Sequence, residues 1–258
     1  MAGGSVPDVP GNVQSIERAA AVLRLLAGGR LGLVEVSSSL GLAKGTVHGI
    51  LRTLTHVGFV EQDKDTGKYH LGATLLHLGT SYLDVNELRS RAINWADSLA
   101  AHSGEAVRIG SHLDGQVLVV HHVFRPGDTL QTVEVGSLLP LHACALGKAV
   151  LAFDAAALRQ GELVAYTRST IVSRRELARS LAEVRELGWA GEVEEMSMGL
   201  AGVAAPIQDS GGLVVGSIGL SGPVERVCDG RRRPRTALVT QVRDAARAVS
   251  RELGARRW

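Results

Sequence analysis

Three short stretches of helical periodicity, each stopped by glycine, fill the first 58 residues, and two alternating runs around a polar turn follow them. Few folds accommodate that order. Ile16, Ala19, Ala20, Leu23 and Leu26 recur at the spacing of one buried helix face. Ser15 is the expected N-cap, and Gly28-Gly29 ends the helix. A second, shorter helix runs from Leu33 to Leu40, with Val34, Val36 and Leu40 inward, Ser37-Ser38-Ser39 outward and Gly41 as its stop. The third, from Ala43 to Val57, turns Val47, Ile50, Leu51 and Leu54 inward and is closed by Gly58. Phe59–Gln62 and Lys68–Leu71 then flank Asp63-Lys64-Asp65-Thr66-Gly67, the pattern of a hairpin. Residues 12–71 therefore predict a winged helix-turn-helix, and residues 1–11, rich in Gly and Pro, a disordered tail.

Such a unit sets its third helix steeply against the second, so that the third can enter a DNA major groove. Its outward face carries Lys44, Gly45, Thr46, His48, Arg52 and Thr53, small or hydrogen-bonding groups. Gln14, Ser15, Ser37 and Ser38 stand at helix starts or on the second helix, where phosphates are gripped. Lys64 and Lys68 on the hairpin suit the neighbouring backbone. A winged helix can also serve protein contacts alone, but this face offers a partner no apolar patch.

Charge is uneven. Residues 1–81 hold 7 Lys+Arg against 6 Asp+Glu, residues 82–224 hold 11 against 16, and residues 225–258 hold 10 against 4. The acidic middle repels DNA. The C-terminal arginines suit either the solvated face of a helix, with Arg243 and Arg247 near Asp244 and Glu252, or a further contact to nucleic acid. Few aromatics argue against single-strand binding by stacking. Two cysteines, Cys144 and Cys228, make no disulfide framework and no zinc spacing. Without a signal-like start or a long apolar run, a cytoplasmic protein with no membrane partner is expected.

The rest of the chain mixes strands and helices, giving an α+β class. Gly72 to Leu83 predicts a linker helix, over residues 72–84, with Gly79 as its weak point. Residues 85–258 form a second domain. In it Leu88, Ala92, Trp95 and Leu99 make an apolar stripe that suits either its own domain or a second copy. Glu105–Leu113 and Gln116–Phe124 flank Asp114-Gly115 as a hairpin. Further strands are expected at Gln131–Val135, Gly202–Gln208 and Leu213–Leu220, and helices at Ala145–Phe153, Arg174–Glu186 and Arg235–Leu253. The small residues opening the helix at Ala145 suit either an anion at a helix start or a tight turn. His121 and His122 are adjacent on a strand and point to opposite faces, so they do not chelate one metal. Glu194-Glu195 lacks a nearby nucleophile and base, and no nucleotide-binding glycine motif or nucleophile elbow is present. No metal, cofactor or catalytic residue is expected.

Six ordered blocks carry a resemblance. They are Gln14-Ser15-Ile16-Glu17-Arg18-Ala19, Leu40 through His48, Gly58-Phe59-Val60-Glu61-Gln62, Pro140 through Lys148, Glu194-Glu195 with Gly199-Leu200, and Ala205-Pro206-Ile207 with Ser221-Gly222-Pro223. Together they resemble the IclR family of bacterial transcription regulators over about residues 12–253. The resemblance implies a winged helix-turn-helix joined by a linker helix to a GAF-like or profilin-like effector-binding domain. It also implies a homodimer or homotetramer on a palindromic double-stranded operator. The family's effector pocket maps onto Leu139, Ala145, Leu146, Glu192, Gly202, Gly219 and Ser221. Glycine at 202 and 219 implies a roomier pocket than in relatives that bind two-carbon acids. Leu42–Thr46, Tyr82–Val85 and Val120–Pro126 resemble the branch that regulates glycerol operons. That implies a repressor of glycerol catabolism released by glycerol 3-phosphate or glycerol; the alternative is control of another small-acid or aromatic-acid operon, as activator or repressor. Gly45 and Gly49 depart from the Ser and Arg of many members, so the operator sequence does not transfer.

Overall fold

The computed structural model describes residues 13–125, 127, 132–154 and 162–255. The expected disordered tail, Gln131, Arg256 and Arg257 lie outside them. The chain divides between Val85 and Asn86 into two compact units. Among the described residues, no helix is long and apolar enough to cross a membrane.

The first unit holds α1 (Gln14–Leu26), α2 (Leu33–Leu40), α3 (Lys44–His56), β1 (Val60–Gln62), β2 (Tyr69–Leu71) and α4 (Ala73–Val85). Val22, Leu26, Val36, Val47, Leu51, Leu54, Val60 and Tyr69 form its core. The two strands pair antiparallel as the wing, Val60 opposite Leu71. Between α2 and α3, Gly41 takes φ +64°, a left-handed turn that costs a side-chain-bearing residue energy. Two inward expectations fail: Ile16 is 66% and Val34 57% exposed. Ile16 lies in the first turn of α1, outside the core, and the short α2 turns Val36 inward and Val34 away. Val13, not Ser15, is the N-cap of α1, because the helix begins two residues earlier than expected, at Gln14. The linker helix continues through Gly79 to Val85.

The second unit is built on one six-stranded antiparallel sheet, ordered β5-β4-β3-β8-β7-β6. Its strands are β3 (Ala106–Leu113), β4 (Gln116–Val123), β5 (Leu138–Pro140), β6 (Ala190–Val193), β7 (Leu200–Gln208) and β8 (Val214–Pro223). Around it lie α5 (Glu87–Ser103), α6 (Ala145–Leu151), α7 (Arg174–Leu187), α8 (Val224–Val227) and α9 (Thr236–Glu252). Neighbours in β8 show how both faces are covered. A side chain at Gly216 would meet Leu88 of α5, while Ser217 Oγ donates to the Leu146 carbonyl of α6 at 3.0 Å. Consecutive strand residues face opposite ways, so α5 and α6 lie on opposite faces. α9 packs beside α5 on β7 and β8.

The stripe Leu88, Ala92 and Leu99 is buried within its own unit, and Trp95 Nε1 donates to Glu252 at 2.6 Å. Glu252 is thereby taken by the tryptophan, and Arg247 reaches Asp244 at 3.6 Å. The strand expected at Gln131–Val135 is absent over residues 132–135. The edge strand comes later, where Leu139 pairs with Val117, because Glu134 enters a turn closed by Ser137 N–H to its carbonyl at 2.9 Å. Both cysteines are free and buried.

Candidate nucleic-acid interface and ligand cavity

The helix-turn-helix is stitched by its own polar atoms. Gly32 N–H donates to Glu35 Oε2 at 2.6 Å, which closes the start of α2. Leu42 N–H donates to the Ser37 carbonyl at 3.1 Å, and Ser37 Oγ donates to the Leu42 carbonyl at 2.6 Å. Ser38 Oγ donates back to Val34 and Glu35, each at 3.0 Å. Both serine protons are thus spent inside the motif.

On α3, Lys44, His48 and Arg52 recur every four residues and share one exposed face. Among the described residues they form no ion pair. Gly45 is exposed beside them, Thr46 is half-buried, and Thr53 Oγ1 donates to the Gly49 carbonyl at 3.0 Å. Gln14 and Ser15 are exposed in the first turn of α1. At the wing tip, Asp63 accepts the amides of Asp65 and Thr66 at 3.0 and 2.9 Å. The Thr66 bonds and Arg30 hold the Asp63 carboxyl below its usual range. Lys64 is exposed at this tip, and Lys68 lies 3.8 Å from Glu35.

In the second unit, Leu139, Ala145, Leu146, Glu192, Gly202, Gly219 and Ser221 all line one cavity of about 150 Å³. One water needs about 10–15 Å³ by a comparable measure, so the space suits a small polar molecule. Register explains its shape. Glu192 pairs with Gly202 and Gly202 with Ser221, making one row across β6, β7 and β8. Ala204, Gly219 and Arg108 make the next row, across β7, β8 and β3. Small residues thus floor a trough with a carboxylate at one end and a guanidinium at the other.

The two glycines crowd a side chain to different degrees. A Cβ at Gly202 would meet Leu220 O at 3.3 Å and Glu192 Oε1 at 3.5 Å, among the cavity walls. A Cβ at Gly219 would lie 2.6 Å from Ala204 Cβ and from Val203 O, so packing of β7 on β8 dictates that glycine. The start of α6 obeys packing too: a Cβ at Gly147 would sit 2.5 Å from Leu141 Cα. Cys144 caps this helix, accepting Gly147 N–H at 3.3 Å and donating to Pro140 O at 3.1 Å. Burial pushes its thiol up to about 12, so it keeps its proton.

Burial pushes the Glu192 carboxyl up to about 7, against the Glu195 amide that donates to its Oε2 at 3.1 Å. Behind it Lys148 Nζ lies 2.5 Å from Glu195 Oε1 and 3.2 Å from Gly191 O. Arg108 is gripped by Glu134, Nη2 to Oε1 at 2.7 Å and Nε to Oε2 at 2.5 Å, and Nη1 donates to Ser221 Oγ. Sequence reasoning missed Arg108, Glu134, Met196 and Ser197, which also line the cavity. The available signal was Arg108 itself, a lone charge inside the apolar run Ala106–Ile109. The cavity thus sets a guanidinium paired with Glu134, carboxyl and hydroxyl groups and an apolar wall around one space.

Two family models match. The IclR helix-turn-helix domain covers residues 15–64, and the bacterial transcriptional regulator IclR C-terminal domain covers residues 80–251. The chain belongs to the IclR family. It is 53% identical over 253 residues to the glycerol operon regulatory protein of Streptomyces coelicolor, covering 96% of this chain and 99% of that one. The HTH-type transcriptional regulator XynR of Escherichia coli is 31% identical over 94% of this chain and 98% of its own length. The crystal structure of an IclR regulator from Alicyclobacillus acidocaldarius superposes with a TM-score of 0.79 at 31% identity, over 93% of this chain and 98% of that one. A Microbacterium hydrocarbonoxydans IclR homolog, solved with 4-hydroxybenzoate, shares the fold with a TM-score of 0.75 at 20% identity, over 93% and 99%. IclR proteins of this kind are DNA-binding transcriptional regulators, and this chain carries both of the family's domains.

Proposed function

We propose that this IclR regulator represses a glycerol-catabolic operon and is released from it by glycerol 3-phosphate or glycerol. The observation that carries the reading is the nearly end-to-end similarity to a glycerol operon regulatory protein. The trough between Glu192 and Arg108 supports it, since it pairs hydroxyl partners with a cation. The effector contacts are Leu139, Ala145, Leu146, Glu192, Gly202, Gly219 and Ser221. On the DNA side, Lys44, Gly45, Thr46, His48, Arg52 and Thr53 face the major groove. Gln14, Ser15, Ser37, Ser38, Lys64 and Lys68 lie along the phosphates, with the two α2 serines limited to lone-pair or backbone-assisted roles.

The protein acts in the cytoplasm as a homodimer or a pair of dimers. One reading helix covers a half-site, and two symmetric half-sites need a two-fold protein. The effector works by population shift, favouring a dimer whose α3 helices no longer match the half-site spacing. A loss of about 1.4 kcal/mol is already tenfold in operator affinity. Titration of the chain onto its own upstream duplex, with random duplex as competitor, tests the reading. Preference for the upstream duplex, weakened by glycerol 3-phosphate or glycerol, is expected; equal affinity for both duplexes would overturn it.

A further inference from the structure

We propose that Arg108 is the receptor for the effector's acidic group and that Glu134 is its resident stand-in. A small hydroxylated molecule bearing an oxyanion must displace the Glu134 carboxylate in order to bind. The inference rests on the regulator reading above and deepens it.

Arg108 is the one cation among the described cavity walls. Its side chain is 18% exposed, so an unpaired guanidinium there would be costly. Glu134 removes most of that cost through one hydrogen bond, Nη2 to Oε1 at 2.7 Å, and a charge contact of its Oε2 with Nε. The buried Nε itself has no hydrogen-bond partner, so the fork that takes a carboxylate or phosphate is only half used. The Glu134 backbone is held in its turn by Ser137 N–H at 2.9 Å, but among the described residues its carboxylate has no hydrogen-bond or ion-pair partner besides Arg108. Glu134 precedes β5 outside the sheet ladder, its amide makes a long 3.3 Å bond to His122 Nδ1, and its side chain is 32% exposed. A carboxylate so placed can return to water when another oxyanion takes the fork. The exchange trades one charge pair for another, so its balance is small and the ligand's own contacts decide it. Ser221, which already accepts from Arg108 Nη1, keeps the guanidinium aimed into the cavity during the swap. Glu192 at the far end of the trough is left for hydroxyl groups. A neutral polyol gains nothing from Arg108 while Glu134 holds it, so the pair makes the cavity selective for acids.

The test is calorimetric titration of the full chain with glycerol 3-phosphate, inorganic phosphate and glycerol. Glu134→Gln is expected to bind glycerol 3-phosphate about tenfold more tightly than wild type, with a similar gain for inorganic phosphate and none for glycerol. Arg108→Gln is expected to lose at least tenfold for both anions, with thermal melting confirming that it is folded. A Glu134→Gln chain with unchanged or weaker anion binding overturns the proposal, as does an equal gain for glycerol or an Arg108→Gln chain with wild-type anion affinity. Failure of wild type and Glu134→Gln to bind any of the three also overturns it. Operator preference of the wild-type chain, measured in the same series, judges the regulator reading separately.

Discussion

Lys148 Nζ lies 2.5 Å from Glu195 Oε1 beneath the ligand cavity, and Lys148 is only 1% exposed. A buried pair of this kind is strongly one-sided: it adds modest net stability when intact, and breaking it strands a charge. Lys148→Met is expected to destabilise the chain by about 3–5 kcal/mol. Adding Glu195→Gln to Lys148→Met is expected to restore most of that loss. Urea unfolding of both variants checks it, and additive losses would refute the coupling.

Glu192 gives the fold a pH dependence. Its carboxyl titrates at about 7 in the folded chain against 4.5 without burial. Between those values the folded protein holds a proton that the unfolded chain releases. Stability therefore falls as pH rises from 4.5 to 7 and this contribution is flat above. The span corresponds to roughly 3 kcal/mol. Glu192→Gln, which removes the ionisation, is expected to flatten this part of the profile and to melt higher than wild type at pH 8. Melting curves at pH 5 and 8 decide; an identical pH slope in both chains rules the effect out.

The exposed row on α3 predicts a salt signature. Each cation that neutralises a phosphate contributes about 0.9 to the slope of log affinity against log salt. Lys44→Ala and Arg52→Ala are each expected to lower that slope by about one while leaving the oligomer's mass unchanged. Anisotropy titrations at several salt concentrations, with light scattering, measure both.

Gly49 stands in α3, and apart from its own helix backbone nothing among the described residues lies within 4 Å of where a Cβ would be. Gly49→Ala is expected to stabilise the protein by about 1 kcal/mol, the helix-interior difference between the two residues. A thermal shift below zero would mean that the position needs glycine within the protein itself.

The two cavity glycines are expected to answer differently to alanine. Gly219→Ala forces a Cβ to within 2.6 Å of Ala204 and Val203, and overpacking of this kind costs about 1–3 kcal/mol. Gly202→Ala meets its nearest neighbour at 3.3 Å and projects among the cavity walls. It is expected to lose less stability than Gly219→Ala and to bind effector less tightly. Parallel unfolding and calorimetry separate the two.

The sequence by itself determined the helix-turn-helix, because local signals suffice there. Apolar residues at helical spacing and stops at Gly28-Gly29, Gly41 and Gly58 mark three short helices, and a Gly-bearing turn marks the wing. Alternating runs around Asp114-Gly115 likewise made β3 and β4 legible, and apolar runs on either side of the Ser210-Gly211-Gly212 turn made β7 and β8 so. What it left undecided depends on partners distant in the chain. Val34 and Ile16 obey the helical period yet face outward, since only the packed neighbours determine which apolar residue is covered. Glu134 reads as part of a strand, but its carboxylate is drawn to Arg108, 26 positions away, and the strand forms later. The pairing of Glu192 and Arg108 as opposite ends of one trough is likewise a product of strand register. Register joins strands far apart in sequence, and no local periodicity encodes it.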